Sequence, residues 1–327
     1  IYFEVEEPVG QKRMSDANTY QIYYWVELEV LDSSPDNSLT IWIPEIMESS
    51  AQREVTLISR EPFDPEDLTD GIMRFSFQDL KPGDTKQIKL RYLLKRYDIS
   101  TSIDAKKVKH HTDRESDLYK EYTKPEPDIP VDELKMITLA RDITGREKNP
   151  YVSAQHIYNY LHGWLSPNRN SEINDHNIMD VIEEKKPVCN ANTYALLFTT
   201  LARCAGIPAR PVSGYLVCTN FTSIEHYWAE FHIEDFGWVP VDPFLGEGGV
   251  YSNFIRVASP KSWYFGNMDK FHITFTRGTR DVEGTSENGV SVNERRCASY
   301  QSVFEEKTGN LASYKTYWSS LGIVGFY

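Results

Sequence analysis

A thiol, an imidazole and a carboxylate stand in chain order at Cys189, His226 and Asp242. Those three groups are the parts of a nucleophilic acyl-transfer site: a sulfur to attack a carbonyl, a base to take and return its proton, and an acid to orient the base. Cys189 opens an apolar stretch in which Tyr194, Leu197, Phe198, Leu201 and Ala205 recur at helical intervals. No charged residue falls between Asn190 and Ala202, so the helix is expected to be buried all round. Asn190 or Asn192 is suited to cap its start, and Gly206 and Pro208 to stop it. A cysteine at a helix start lies at the positive end of the macrodipole, which favours the reactive thiolate.

The elements that must position the other two groups are strands. From His226 the sequence alternates, with His226, Trp228, Glu230 and His232 on one face and Tyr227, Ala229, Phe231 and Ile233 on the other. A turn at Glu234–Gly237 leads into a second strand, Trp238–Asp242. A two-residue loop would put His226 and Asp242 on opposite faces. A three-residue loop, Glu234 to Phe236, pairs Trp228 with Asp242. It leaves His226 as the diagonal neighbour of Asp242, at roughly 7–8 Å between backbones. The reading adopted is the three-residue loop, with Pro240 marking a strand edge or bulge.

These residues carry a family resemblance. The run Arg203-Cys204-Ala205-Gly206-Ile207-Pro208-Ala209-Arg210, the Gly214-Tyr215 pair, the H-x-W-x-E pattern at His226–Glu230 and the G-W-x-x-x-D-P pattern at Gly237–Pro243 together resemble the core of the transglutaminase-like superfamily. Its fold is similar to that of papain-like cysteine proteases. The matching stretch, Cys189 to Pro243, covers about a sixth of the chain. The resemblance implies Cys189 as nucleophile, His226 as base and acid, and Asp242 as the group that orients the imidazole. Pro187 stands where the family usually has glycine, a departure that bears on substrate rather than chemistry.

An oxyanion hole needs two donors. The backbone N–H of Cys189 is the first. For the second, where relatives often use an aromatic side chain upstream of the cysteine, the helical stretch Ser153–Trp164 offers Trp164 and Tyr160. Trp228 is the third candidate oxyanion or substrate residue; it and Trp238 otherwise read as core or pocket wall. Glu230 reads as a structural hydrogen-bonder, His232 as a core or solvated histidine, and Arg203 and Arg210 as anchors for loops and carboxylates. Cys204 reads as core, and no cysteine spacing suggests a metal. No cofactor and no metal are expected.

The 327 residues exceed one ordinary core, and the net charge of −13 argues against nucleic acid or an anionic membrane as partner. No run of about 18 apolar residues is present to span a membrane. Four cysteines are too few for a disulfide scaffold. The chain begins at Ile1, so a processed form is expected, with any signal peptide outside it. High Tyr, Trp and Asn content with few cysteines suits an exported bacterial protein, periplasmic, cell-surface or secreted.

Strand patterns at 21–30, 38–43, 54–59, 72–77 and 86–97 are punctuated by turn signals such as Asp32–Asn37. The expected fold is α+β: an N-terminal β-sandwich over 1–105, a polar linker over 106–130 with a solvated basic run at Lys106–His111, and a papain-like catalytic domain over 131–327. In that domain a nucleophile-bearing helix packs on an antiparallel sheet that C-terminal strands close. The expected activity is attack of Cys189 on an amide of a peptide or glutamine side chain, through a thioester. Water would make a protease or amidase and an amine would make a cross-linker. Hydrolysis is favoured because no calcium-loop pattern is present. A non-catalytic peptide- or glycan-binding module is the competing class. The expected partner is a peptide or protein substrate and the expected state a monomer.

Overall fold

The computed structural model describes residues 9–62, 66–68, 71–168, 177–248, 251, 254, 257–286 and 288–326. Strands β1 (Gly10–Pro44), β2 (Gln52–Glu61), β3 (Glu66–Leu68), β4 (Ile72–Gln78) and β5 (Thr85–Ile103) come first. Helices α1 (Asp117–Glu121), α2 (Leu134–Thr144) and α3 (Pro150–Trp164) follow, then β6 (Ser166–Pro167), α4 (Ile178–Glu183), β7 (Val188–Cys189) and α5 (Ala191–Cys204). The chain continues through β8 (Ala209–Val217), β9 (Ser223–Ile233), β10 (Gly237–Val241), α6 (Pro260–Trp263), β11 (His272–Arg277), β12 (Val290–Val292), β13 (Glu305–Trp318) and β14 (Gly322–Phe326). The class is the α+β expected.

Two compact units interleave along the chain. One takes residues 1–15, 98–212 and 227–269; the other takes 16–97, 213–226 and 270–327. The boundaries expected at 105 and 130 ran in sequence order, whereas these units each draw on three separate stretches.

The 16–97, 213–226 and 270–327 unit is β-rich. Along β1 the even positions from Tyr20 to Val30 are buried and the odd ones are not, the alternation of a strand with one face on a core. Those even residues meet Leu39, Ile41, Phe75, Ile88, Leu90, Tyr92 and Phe275 in one cluster. The turn expected at Asp32–Asn37 is not a reversal. β1 continues through it with register shifts, because β13 follows both halves, from Val26↔Trp318 to Ile41↔Glu305. A bulge absorbs the turn-prone residues, and Gly309, at φ +61, lets the partner backbone approach Asp36. The C-terminal strands do not close the catalytic sheet as expected. β13 and β14 pair with β1 instead, and only β11 pairs with β8.

The other unit holds the helices. α2, α3 and α5 pack on one another, and β10, β9 and β8 lie side by side. β8 and β9 run through both units, so in the β-rich unit the order is β9-β8-β11. Gly214 on β8 has a packing reason: a Cβ there would strike the Ile273 carbonyl and stand 3.1 Å from the Thr274 Cα. Gly214→Ala is expected to cost about 1–3 kcal/mol, read as a lower denaturation midpoint at unchanged m-value. A neutral substitution would refute the close strand approach.

Candidate active site

Cys189 does not open the helix. It lies in the two-residue strand β7, one position before the N-cap. β7 pairs in parallel with β6, which continues from the end of α3. The Asn168 N–H donates to the Cys189 carbonyl at 2.7 Å, and the Cys189 thiol points at the Lys186 carbonyl at 3.5 Å. Asn190 is the cap, its Oδ1 accepting from the Thr193 N–H at 3.0 Å. Every residue from Ala191 to Ala202 is buried, as expected of an uncharged run, and Arg203 is buried with its charge paired to Glu126. Gly206, at φ +75, and Pro208 then end α5. Cys189 itself has no exposed surface.

The β9–β10 register is the one read from the sequence. Gly237 pairs with Ile233 and Val241 with Ala229, so the loop is Glu234–Phe236. Asp235 at φ +66 and Gly237 at φ +93 make the reversal. Continuing one step, Asp242 falls opposite Trp228, with His226 two residues along the same strand. Pro240 sits within β10, the outer strand of its unit's β10-β9-β8 order. On that outer side the Gly266 N–H donates to the Pro240 carbonyl at 2.9 Å, beside the bridge of Val241 to Phe265.

Asp242 is buried. Its carboxylate accepts from the Leu245 N–H at 2.8 Å, and its own N–H donates to the Tyr264 carbonyl at 2.9 Å. Phenols stand around it. Burial first, then the charges of Asp242 and Glu247, push the Tyr158 hydroxyl up. Burial, Asp269 and Asp242 do the same to Tyr264. Tyr194, on α5, is pushed up by burial, Glu247 and Cys189, and its hydroxyl donates to Glu247 at 3.3 Å. These phenols stay protonated and serve only as neutral hydrogen-bonders.

His226, in the β-rich unit, is fully buried and packs edge-on against His272 of β11, with ring centroids 5.7 Å apart. His272 was not identified from the sequence. It opens a strand 46 residues downstream, and only the β8–β11 pairing brings it there. Trp228 is 2% exposed on β9. Trp164 and Tyr160 lie with ring centroids 6.0 Å apart and planes tilted by 33° on the last turn of α3, directly before the strand that pairs with Cys189.

The supporting residues behave as read. The Arg210 guanidinium binds Glu230 at 2.7 Å and lies 3.8 Å over the Trp238 ring. Arg203 donates to Glu126 and the Lys124 carbonyl, both at 2.7 Å. Among the other thiols, burial lifts Cys204 to about 11 and raises Cys218 and Cys297. The basic run is not wholly solvated: His111 is buried, with Nε2 3.4 Å from His232 Nδ1.

Residues 137–243 match the transglutaminase-like superfamily. Over that third of its length the chain is similar to the core of that superfamily. Cys189, His226 and Asp242 all lie inside the matched span. A candidate cysteine protease from Cytophaga hutchinsonii superposes with a TM-score of 0.61 at 14% identity, over 97% of this chain and 92% of that one. That likeness is one of fold. The periplasmic domain of TgpA from Pseudomonas aeruginosa gives a TM-score of 0.40 at 15% identity, over 74% and 76% of the two chains. The search of curated proteins returned no match. Among the described residues of the core and its partner unit, no helix is long and apolar enough to cross a membrane.

The histidine pair of the core makes stability depend on pH. Burial, then His111 and Arg210, depress His232 to about 4, so the unfolded chain binds the extra proton between about pH 6.5 and 4. The stabilising contribution is present above that window and lost as pH falls through it. Its size is below about 2 kcal/mol because the site is only partly screened from water. Urea midpoints measured from pH 7 to 4 are expected to fall less steeply in His232→Gln than in the wild type. Parallel curves would refute the assignment.

Proposed function

We propose that the protein is a thiol enzyme that cleaves amide bonds through a Cys189 thioester. Cys189 is the nucleophile, His226 its base and acid, and Asp242 the residue that orients the imidazole. The observation that carries this reading is the β9–β10 register. It sets Asp242 opposite Trp228, two residues from His226 on the same face, within a span that matches the superfamily core. The Leu245 N–H holds the Asp242 carboxylate in place.

In the proposed cycle His226 takes the thiol proton and sulfur attacks the amide carbon. The oxyanion is met by the Cys189 N–H and by a second donor, for which Trp164 and Tyr160 are the candidates and Trp228 a pocket wall. The tetrahedral adduct collapses, His226 protonates the departing amine, and the thioester remains. Water, deprotonated by His226, then releases the acid and restores the thiol. Hydrolysis is preferred over amine transfer on the sequence ground already given. Because Cys189 has no exposed surface, substrate reaches it only after local opening.

That same burial favours a second reading, a module that keeps the fold and binds peptide or glycan without turnover. Intact mass spectrometry after mixing with glutamine-containing casein peptides separates the two. The enzyme reading expects a transient acyl adduct on Cys189, absent in Cys189→Ala, and a kcat in Asp242→Asn lower by on the order of 10³–10⁴-fold. No adduct with any peptide, alongside saturable binding, sinks it. Adding a fluorescent primary amine tests hydrolysis: incorporation faster than release of free acid would make amine transfer the activity.

We also propose export in a bacterial host, on composition alone. Cell fractionation tests it, and recovery only with the cytosol would contradict it.

A further inference from the structure

The β-rich unit turns one part of its sheet to solvent. Along β1 the even residues fill the core, and Gln21, Tyr23, Trp25, Glu27 and Glu29 face the other way. Polar residues are the ordinary choice on a solvated strand face. Tyr23 and Trp25 break that rule together, on successive outward positions about 6.6 Å apart along the strand. Tyr317 of β13 joins them, its ring centroid 5.0 Å from that of Trp25 and the planes 32° apart. Tyr23 is 40% exposed and Tyr317 59%. Tyr23 pairs with Gly322 of β14, where a Cβ would strike its ring, so the ring lies over bare backbone. The result is a row of aromatic rings open to water, the kind of patch that marks a binding surface.

β5 supplies a polar rim. It pairs with β1, and a cavity of about 370 Å³ is lined by Tyr23 and Trp25 from one strand and by Gln87, Lys89 and Arg91 from the other. Gln87 donates to Glu27, which holds the amide and leaves its carbonyl as an acceptor. Lys89 reaches Glu61 only at 3.9 Å, with both side chains more than half exposed. Arg91 is exposed, and among the described residues no ion pair or hydrogen bond holds its guanidinium.

The two parts together select one chemistry. The ring faces are apolar, while the rim carries both donors and acceptors. A pyranose matches both: its C–H bonds form an apolar face, and each hydroxyl both donates and accepts. An anion would meet Glu27, and a cation would meet Lys89 and Arg91. A polyproline peptide suits the rings, but its carbonyls only accept and would leave Glu27 facing another acceptor. We infer that this face binds a neutral oligosaccharide, with Tyr23, Trp25 and Tyr317 as the stacking platform and Gln87, Lys89 and Arg91 as the rim that binds hydroxyls. Every one of these residues belongs to the β-rich unit, so the site stands under either reading of Cys189.

The test is calorimetric titration of the full-length protein at pH 7 with cellohexaose, chitohexaose and xylohexaose, and with hexagalacturonate and decaproline alongside. At least one neutral hexasaccharide is expected to bind saturably, and about tenfold or more tighter than hexagalacturonate or decaproline. Tyr317→Ala, which removes the most exposed ring, is expected to weaken that binding about tenfold, the scale of one lost stack. Arg91→Ala is expected to weaken it about fivefold. Urea midpoints establish that each variant is folded. Arg91 has no partner to lose, so its variant keeps the test decisive if Tyr317→Ala folds poorly. Unchanged affinity in a folded variant places the ligand elsewhere and overturns the site. Tighter binding of hexagalacturonate or decaproline overturns the ligand class. No binding of any neutral hexasaccharide overturns the proposal outright and leaves the rings as a cover for the sheet.

Discussion

The structure depends most on one register. Gly237 opposite Ile233 fixes which face of β10 carries Trp238, Pro240 and Asp242, and which carries Val239 and Val241. A slip of one residue would turn Asp242 toward the other face and push Val239, now buried, outward. Two left-handed residues, Asp235 and Gly237, hold the three-residue loop that prevents the slip. The cation–π contact of Arg210 on Trp238 and its ion pair to Glu230 pin the same register from the neighbouring strand.

The second constraint is burial around α5. A helix with thirteen consecutive buried residues must leave no polar group unmet at its ends. Asn190 answers the N-terminal N–H groups, and Gly206 with Pro208 allows the C-terminal carbonyls to be met by Ala205, Gly206 and Ile207. Thr199 and Thr200 return their hydroxyls to the carbonyls one turn back, which is how hydroxyls persist inside it. The same burial that fixes Cys189 also closes it, so rigidity and access are in tension at this thiol.

What was legible in the sequence was local. The α5 periodicity, its Asn and Gly–Pro boundaries, the β9–β10 loop and the supporting roles of Arg203, Arg210 and Glu230 all follow from neighbours within a few positions. What was hidden was long-range. His272 joins His226 only through strand pairing, and Glu247 meets His162 and Tyr194 from segments 50 to 85 residues apart. β1 reads as two strands because its turn residues are real, yet β13 overrides them by pairing along both halves. Cys189 was read as helical because apolar spacing cannot tell an N-cap from the residue before it. The short parallel pairing with β6 makes that position a strand.

The central claim is that Cys189 and His226 act together. The most direct measurement is the pH dependence of iodoacetamide alkylation at Cys189, resolved by peptide mass mapping, in wild type and His226→Ala. The account predicts an apparent thiol pKa below the free value of about 8.5 in the wild type and a rise in the variant. An unshifted value that is the same in both proteins, or no labelling of Cys189 short of unfolding, would contradict it.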